Sequence, residues 1–107
     1  MSKFEFGDII LLKFPFTDGK KAKKRPALVI NDFLDGDIIV CRITSQIYSS
    51  KQDVFIENWE STDLKLPSII RVHKIATLDK KMAEKIMGKI DDSHKKKVNK
   101  ILSSISD

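Results

Sequence analysis

Short runs of branched and aromatic residues, separated by turn-forming Gly, Pro and Asp, recur along the first three-quarters of this chain. The breaks prevent any one run from continuing as a long helix or a membrane span. Each run has the length and side-chain types of a β-strand. A succession of short strands is therefore the main constraint on the fold, and the runs lie at 8–16, 27–30, 38–43, 53–57 and 68–74.

The second and third runs are predicted to form a β-hairpin. The Asp-Gly-Asp sequence at 35–37 is typical of a tight turn between two strands. Pro26 is tolerated at the start of a strand, and it favours an extended conformation for Arg25. Thr44 and Ser45 follow the third run. Polar side chains therefore lie where the second strand begins and where the third strand ends.

Helix-forming residues replace strand-forming residues near the end of the chain. The segment 79–87, DKKMAEKIM, is predicted to be helical and to end at Gly88. Carboxylates at 91 and 92 then favour the start of a second helix. That helix carries one apolar stripe at i, i+3, i+4 and i+7, formed by Val98, Ile101, Leu102 and Ile105.

Strands followed by helices in a chain of 107 residues predict a single domain over 1–107. The fold class is mainly β with a C-terminal helix (α+β). A small β-barrel or a strongly curved sheet is expected, because a flat open sheet of this size leaves its edges exposed. Closure or dimerisation would cover those edges.

Composition restricts the compartment and the partners. Cys41 is the only cysteine, so it is expected to be a small buried hydrophobic residue, with no internal disulfide and no cysteine-based metal cluster. No signal peptide or membrane segment is recognised, which makes the cytoplasm the default location. The net charge of +5 and the basic segment KKAKKR at 20–25 favour an anionic partner, nucleic acid first.

The familiar sequence signatures of metal and phosphate chemistry are missing. Gly19-Lys20-Lys21 lacks the other residues of a phosphate-binding loop, and His73 and His94 have no partner at metal-ligand spacing. No nucleophile motif is recognised either. We therefore expect neither a metal ion nor a cofactor.

Cationic and hydroxyl side chains at strand ends remain as candidates for ligand binding and catalysis. Arg25, Thr44 and Arg71 are side chains of the types that bind and stabilise a phosphodiester without a metal ion. RNA supplies its own nucleophile, the 2′-hydroxyl, so a ribonuclease needs only a base, an acid and charge stabilisation. Histidine transfers protons near neutral pH, whereas arginine is a poor base and a better stabiliser of charge.

The run SIIRVHK at 68–74 allows two interpretations. In an extended chain, Ile70 and Val72 point to one face, and Ile69, Arg71 and His73 point to the other. The polar pair is either the solvated face of a half-buried strand or part of a site. Residue types alone leave both alternatives open.

Three segments together resemble the PemK/MazF family of toxins from bacterial type II toxin–antitoxin systems. They are GDIILLKFPFTDGKKAKKRPALVI at 7–30, DIIVCRITSQ at 37–46 and LKLPSIIRVHKIATLDKKM at 64–82. The resemblance implies a compact SH3-like β-barrel with a C-terminal helix, acting as a homodimer. It also implies a metal-independent, sequence-specific endoribonuclease that cleaves single-stranded RNA, inhibits growth and is neutralised by a cognate antitoxin.

The resemblance extends to individual residues. Arg25 matches the arginine of the family's RP motif, and Thr44 matches its strand-end threonine, both with roles in catalysis. Arg71 matches the arginine of an R-x-D motif, whose aspartate is replaced here by His73. We expect Arg25, Thr44, Arg71 and His73 to be catalytic, and RNA to be bound by Lys20, Lys21, Lys23, Lys24, Ser45 and Gln46.

The replacement of aspartate by His73 leaves the mechanism open. Histidine is either the base in place of aspartate, or a bystander to a mechanism through Arg25 and Thr44. The alternative function is that of a non-catalytic member of the fold, either a DNA gyrase-directed toxin or an RNA-binding protein.

Overall fold

The computed structural model describes residues 3–14 and 23–105, so positions 15 and 16 of the first predicted run and the candidates Lys20 and Lys21 lie outside the described residues. Two 3-10 turns, Trp59–Ser61 and Lys80–Met82, accompany the regular elements. Within the described ranges those elements are β1 (Asp8–Phe14), β2 (Lys23–Asp32), β3 (Asp37–Thr44), β4 (Asp53–Phe55), β5 (Ile69–Asp79), β6 (Ala83–Lys89) and α1 (Asp92–Ile105).

All six strands belong to one antiparallel sheet with the order β4-β5-β3-β2-β1-β6. The predicted mainly β fold with a C-terminal helix is confirmed. Among the described residues β4 and β6 remain at the two ends of this order, so the sheet is open and is not closed into a barrel. The hairpin of β2 and β3 around the turn at 35–37 is also confirmed.

Both faces of the sheet are buried, because apolar residues occupy consecutive positions of the central strands. Ile9, Leu28 and Cys41 belong to a helix-side core that also contains Val98 of α1. Their neighbours along the chain point the other way, as expected for period-two alternation. They form a second core on the opposite face, composed of Phe4, Ile10, Leu12, Ala27, Val29, Ile38 and Val40.

The buried carboxylate of Asp32 ties three segments together. It accepts hydrogen bonds from the backbone N–H groups of Phe4 (2.9 Å) and Leu34 (3.0 Å). The ammonium group of Lys80 lies 2.6 Å from the same carboxylate. The Lys80 hydrogen bond is the main cause that lowers the pKa of Asp32 to about 2, and the Phe4 hydrogen bond adds to it.

The helix predicted for 79–87 is wrong. The segment forms the 3-10 turn Lys80–Met82 and then β6, which pairs with β1 through Ile10–Ile86 and Leu11–Lys85. The hydrogen-bonding edge of β1 needs a partner, and the backbone hydrogen bonds gained there outweigh the helix propensity of the segment, which tertiary contacts readily override. Tertiary pairing therefore decides the structure of this stretch.

The predicted C-terminal helix is confirmed as α1. Asp91 precedes it and accepts a hydrogen bond from the backbone N–H of His94 at 2.9 Å. Val98 is buried and Ile101 and Leu102 pack on the helix-side core, whereas Ile105 at the far end of the stripe is 43% exposed. Nowhere in the described ranges is a helix both long and apolar enough to cross a bilayer.

Candidate active site

Arg25 and Thr44 come together at neighbouring ends of β2 and β3. Ala27 pairs with Arg42 across these strands, and continuing that antiparallel register by two residues sets Arg25 opposite Thr44. Both residues line one open groove of about 380 Å³. We call it the Arg25–Thr44 groove, and its other lining residues are Lys24, Pro26, Arg42, Ile43, Ser45 and Gln46.

The local sequence explains the placement of Arg25. Pro26 follows it and favours an extended backbone at position 25. On its other side Arg25 pairs with Leu12 of β1, a residue of the second core, so Arg25 lies on the sheet face opposite α1. Its side chain is exposed, and its Nη1 donates to the carbonyl of Lys24 at 3.0 Å. The remaining guanidinium N–H groups have no hydrogen-bond acceptor among the described residues.

The hydroxyl of Thr44 is held in place by the turn that ends β3. Its Oγ1 accepts a hydrogen bond from the backbone N–H of Gln46 at 3.1 Å. Because this bond uses the oxygen as acceptor, the hydroxyl proton is still available for donation to a ligand. Ser45 and Gln46 are exposed beside it.

Arg42 is a groove residue that was not predicted from the sequence. It stands two positions before Thr44 on β3, and alternation therefore puts both side chains on the same face. Counting back by two from Thr44 is the signal that would have found it. Arg42 is exposed and lines the Arg25–Thr44 groove as well as an adjoining one.

The adjoining groove has a volume of about 430 Å³ and combines an apolar floor with a cationic rim. We call it the second groove. It shares Arg25, Pro26, Arg42 and Ile43 with the Arg25–Thr44 groove, which makes the two continuous. Its remaining lining residues are Leu12, Phe14, Lys23, Ala27, Val40, Lys74, Ala76 and Leu78.

Arg71 is engaged in contacts of its own. Its Nε donates to Asp53 Oδ1 at 3.1 Å, and its guanidinium lies 3.8 Å from the centroid of the Tyr48 ring. Its side chain is only 14% exposed. Burial alone raises the pKa of Asp53, but hydrogen bonds from Ser50 and the charge of Arg71 bring it below its usual value. Arg71 lines neither groove, although its Cα pairs with Arg42 across β5 and β3.

A bulge in β5 separates His73 from the grooves. Cys41 pairs with Ile75 while the next residue, Arg42, pairs with Arg71, so three residues of β5 have no partner on β3. Strict alternation is therefore interrupted between Arg71 and Ile75, the stretch that contains His73. Lys74 lines the second groove, and His73 lines neither groove.

His73 is half-buried, with its Nδ1 out of contact with solvent. Within the described part of the chain this nitrogen has no hydrogen-bond partner. The prediction for the other strand face is correct, since Ile70 and Val72 both belong to the helix-side core.

The lysines expected to bind RNA differ in their surroundings. Lys23 is exposed and lines the second groove. Lys24 lines the Arg25–Thr44 groove, but its Nζ also forms an ion pair with Glu84 at 3.0 Å. The net positive charge that Lys24 adds to its groove is therefore reduced.

Cys41 behaves as predicted. It is fully buried in the helix-side core, and its thiol donates to the carbonyl of Val72 at 3.3 Å. Burial raises its pKa to about 12, so the thiol stays protonated and unreactive at neutral pH. Residues 3–14 and 23–105 contain no cluster of three or more His, Cys, Asp or Glu side chains able to hold a metal ion.

Solved structures of similar fold come from bacterial toxins. A MazE–MazF complex from Deinococcus radiodurans superposes with a TM-score of 0.79 and 19% identity, covering 96% of this chain and 95% of that one. A mycobacterial endoribonuclease in complex with its cognate antitoxin gives 0.71 and 18%, covering 92% and 90%. The Mycobacterium tuberculosis toxin MazF-mt6 gives 0.72 and 17%, covering 91% and 93%. At these identities the likeness establishes the fold.

The sequence itself matches a family model. No curated protein matches it significantly. The model of the PemK-like, MazF-like toxins of type II toxin–antitoxin systems matches residues 5–106, almost the whole chain. The chain therefore belongs to the PemK-like, MazF-like toxin family.

Proposed function

We propose that this protein is the toxin of a type II toxin–antitoxin system and that it acts as an endoribonuclease on single-stranded RNA. The observation that carries the proposal is the meeting of Arg25 and Thr44 in one groove with Lys24 and Arg42. No carboxylate is among the described residues that line this groove. An anionic ligand is therefore favoured there. The mycobacterial protein of similar fold, described as an endoribonuclease, points to the same activity.

The chemistry proposed is an internal phosphoryl transfer. The 2′-hydroxyl oxygen of RNA attacks the adjacent phosphorus, an O2′–P bond forms and the P–O5′ bond breaks. The products are a 2′,3′-cyclic phosphate and a 5′-hydroxyl. One proton leaves the 2′-hydroxyl for a base, and one proton is delivered to the departing O5′.

The groove residues have distinct roles in this step. Arg25 stabilises the negative charge that develops on the non-bridging oxygens, since a guanidinium keeps its charge and offers several donors. Thr44 donates its hydroxyl proton to one of those oxygens, and Ser45 and Gln46 hold the neighbouring backbone of the RNA. These groups supply the charge stabilisation, so no metal ion is required.

Two routes for the protons remain in the proposal. Arg71 is held by Asp53 and Tyr48 and lines neither groove, which favours a route based on Arg25 and Thr44. His73 lies in the bulge, beside Lys74, and lines neither groove. The backbone of β5 or the bound RNA would have to move before His73 could reach the phosphate. In the route through Arg25 and Thr44, His73 takes no part in the reaction, and in the second route His73 is the base. Arg71 acts mainly by positioning in both.

The partners proposed are RNA, a cognate antitoxin and a second copy of the chain. Structures of similar fold that contain an antitoxin include the MazE–MazF complex and the mycobacterial complex. Lys20, Lys21, Lys23 and Lys24 attract the RNA backbone. The toxin acts in the cytoplasm, where its RNA substrate is found.

An assay in EDTA with end-labelled single-stranded RNA of mixed sequence tests the proposal. The parent protein is expected to make discrete cuts with 5′-hydroxyl ends. The Arg25→Ala variant is expected to lose them, while Lys85→Ala, which removes an exposed cation of β6 outside both grooves, cuts as the parent does.

Other outcomes of this assay favour the alternative functions. RNA binding without cleavage by the folded parent would indicate an RNA-binding protein. A folded parent that neither binds nor cleaves RNA would contradict the ribonuclease proposal and would favour a gyrase-directed toxin.

A further inference from the structure

We infer that the second groove binds the base of the nucleotide next to the scissile phosphate, and that Arg42 binds the phosphate between the two sites. This inference rests on the proposed function. It adds a nucleotide subsite and a binding residue to the Arg25–Thr44 groove.

The floor is apolar and partly open to solvent. Leu12, Ala27 and Val40 are buried members of the second core, while Phe14 and Leu78 are half-buried and pack beside them. An unpaired nucleobase has two flat faces of low polarity that stack on aromatic and apolar side chains. The floor therefore matches a base better than it matches a bare phosphate.

The rim is cationic. Lys23, Arg25, Arg42 and Lys74 are exposed and surround the apolar floor, and the described lining residues contain no Asp or Glu. A ligand with an apolar plane and flanking negative charges satisfies both features. A nucleotide has this combination, with its base as the plane and its phosphates as the charges.

Continuity with the Arg25–Thr44 groove selects RNA among nucleotide ligands. Arg42 stands on β3 two residues from Thr44, and it lines both grooves together with Arg25. A strand whose scissile phosphate lies at Arg25 and Thr44 passes Arg42 before its next base reaches the second groove. Arg42 is thus placed to bind the flanking phosphate.

Filling the second groove tests the subsite. Ala76 is exposed and lines the groove, so Ala76→Trp places a ring where the base would lie. Thr77, the adjacent exposed residue of β5, does not line it, and Thr77→Trp is the matched control. Affinity is measured for RNA that contains the mapped cleavage site with a 2′-deoxynucleotide at the attacking position, which prevents cleavage.

We expect Ala76→Trp to weaken binding about tenfold or more, and Thr77→Trp to leave it within about twofold of the parent. With an abasic nucleotide at the flanking position, the two variants are expected to bind alike. Arg42→Ala is expected to weaken binding of both RNAs, with part of the loss restored in Arg42→Lys. Equal unfolding temperatures of the two Trp variants exclude a folding effect.

Two results would overturn the subsite. One is equal affinity of the two Trp variants for the intact RNA. The other is a change of oligomeric state in Ala76→Trp alone, measured by sedimentation, since the groove would then be a contact between copies. If the parent itself neither cuts nor binds RNA, the proposed function is contradicted, and the subsite is contradicted with it. A parent that cuts RNA while both Trp variants bind alike overturns only this inference.

Discussion

At the scale of single residues, two local constraints prepare the Arg25–Thr44 groove for a ligand. Pro26 restricts the backbone at Arg25, and the Gln46 N–H fixes the oxygen of Thr44. The backbone of Arg25 and the hydroxyl of Thr44 therefore lose less conformational freedom on binding than unrestrained groups would. The groove thus combines a restrained backbone and hydroxyl with the positive charges of Arg25 and Arg42, while that of Lys24 is partly balanced by Glu84.

Sequence patterns identified some of these residues and missed others. Arg25 and Thr44 stand in recognisable motifs at strand ends. Arg42 lies inside an apolar run, where only the alternation counted from Thr44 would have shown its direction. His73 lies in a bulge that interrupts the alternation after Arg71, and a single sequence carries no mark of a bulge.

The role of His73 can be tested through the pH dependence of cleavage. If His73 is the base, only its neutral form can accept the proton of the 2′-hydroxyl, so the single-turnover rate is expected to rise with pH over the range in which imidazoles lose their proton. The rise is expected to disappear in His73→Ala, with a residual rate that does not vary over this range. A flat profile for the parent would contradict a base role and leave catalysis to Arg25 and Thr44.

The carboxylate of Asp32 is expected to stabilise the fold in a pH-dependent manner. Its pKa in the folded protein is about 2, below the usual 3.8, because of hydrogen bonds from Lys80 and Phe4. A lowered pKa means that its stabilisation is complete above about pH 4 and is lost as the pH falls towards 2. The difference in unfolding free energy between the parent and Asp32→Asn should therefore be constant near neutral pH and shrink below pH 4.

Urea unfolding measured at several pH values between 2 and 7 checks this expectation. Asp63→Asn is the control, because its exposed side chain has no hydrogen-bond partner among the described residues. A difference for Asp32→Asn that stays the same down to pH 2 would contradict the assignment.

At the scale of elements, strand pairing determined the secondary structure where the intrinsic propensity of a segment did not. The hairpin and α1 follow from local signals, a turn sequence and a 3.6-residue stripe, and both were predictable. The segment after Asp79 has helix-forming residues, yet it becomes β6 because β1 offers an edge distant in sequence. Such long-range pairing is not encoded in the composition of the segment itself.

Replacement of Gly88, near the end of β6, is expected to destabilise the fold. Its φ is +149°, and a Cβ added there would lie 2.9 Å from the Thr62 side chain and 3.2 Å from its Cα. Gly88→Ala should lower the unfolding free energy by about 2 kcal/mol, through both strain and the clash.

Gly36→Ala is a matched control for this substitution. Gly36 also has a positive φ, +99°, but no atom lies within 4 Å of the added Cβ. We expect a loss of about 1 kcal/mol there, from backbone strain alone. Urea unfolding compares the two variants, and an equal or larger loss for Gly36→Ala would show that the contact with Thr62 is unimportant.

At the scale of the whole molecule, the two faces of the sheet are used differently. The helix α1 covers the helix-side core, whereas the face opposite it holds both grooves. Cations line both grooves on the face that α1 does not cover, and four more lysines lie on α1 itself, within a chain of net charge +5. The open strand order was not predictable from the sequence, which indicated only that the edges need covering.

This charge distribution predicts strong salt dependence of RNA binding. For single strands the logarithm of the affinity falls with the logarithm of the salt concentration with a slope of about −0.7 per phosphate neutralised. The cations of the two grooves should produce a slope of about −2 to −3, and Arg42→Ala should reduce its magnitude by about 0.7. Lys100→Ala, on α1 away from both grooves, is the control. An unchanged slope in Arg42→Ala would contradict a phosphate contact.

The central claim is that Arg25 and Thr44 act together on one phosphate. Single-turnover cleavage by the parent, Arg25→Ala, Thr44→Val and the double variant forms a complete cycle that tests it. Each single variant is expected to be about 10²- to 10³-fold slower than the parent. The double variant should be within about tenfold of the slower single variant, because groups that stabilise one transition state are not additive. Two results would contradict the account. One is a rate loss in the double variant equal to the product of the two single losses, and the other is single variants that cleave as fast as the parent.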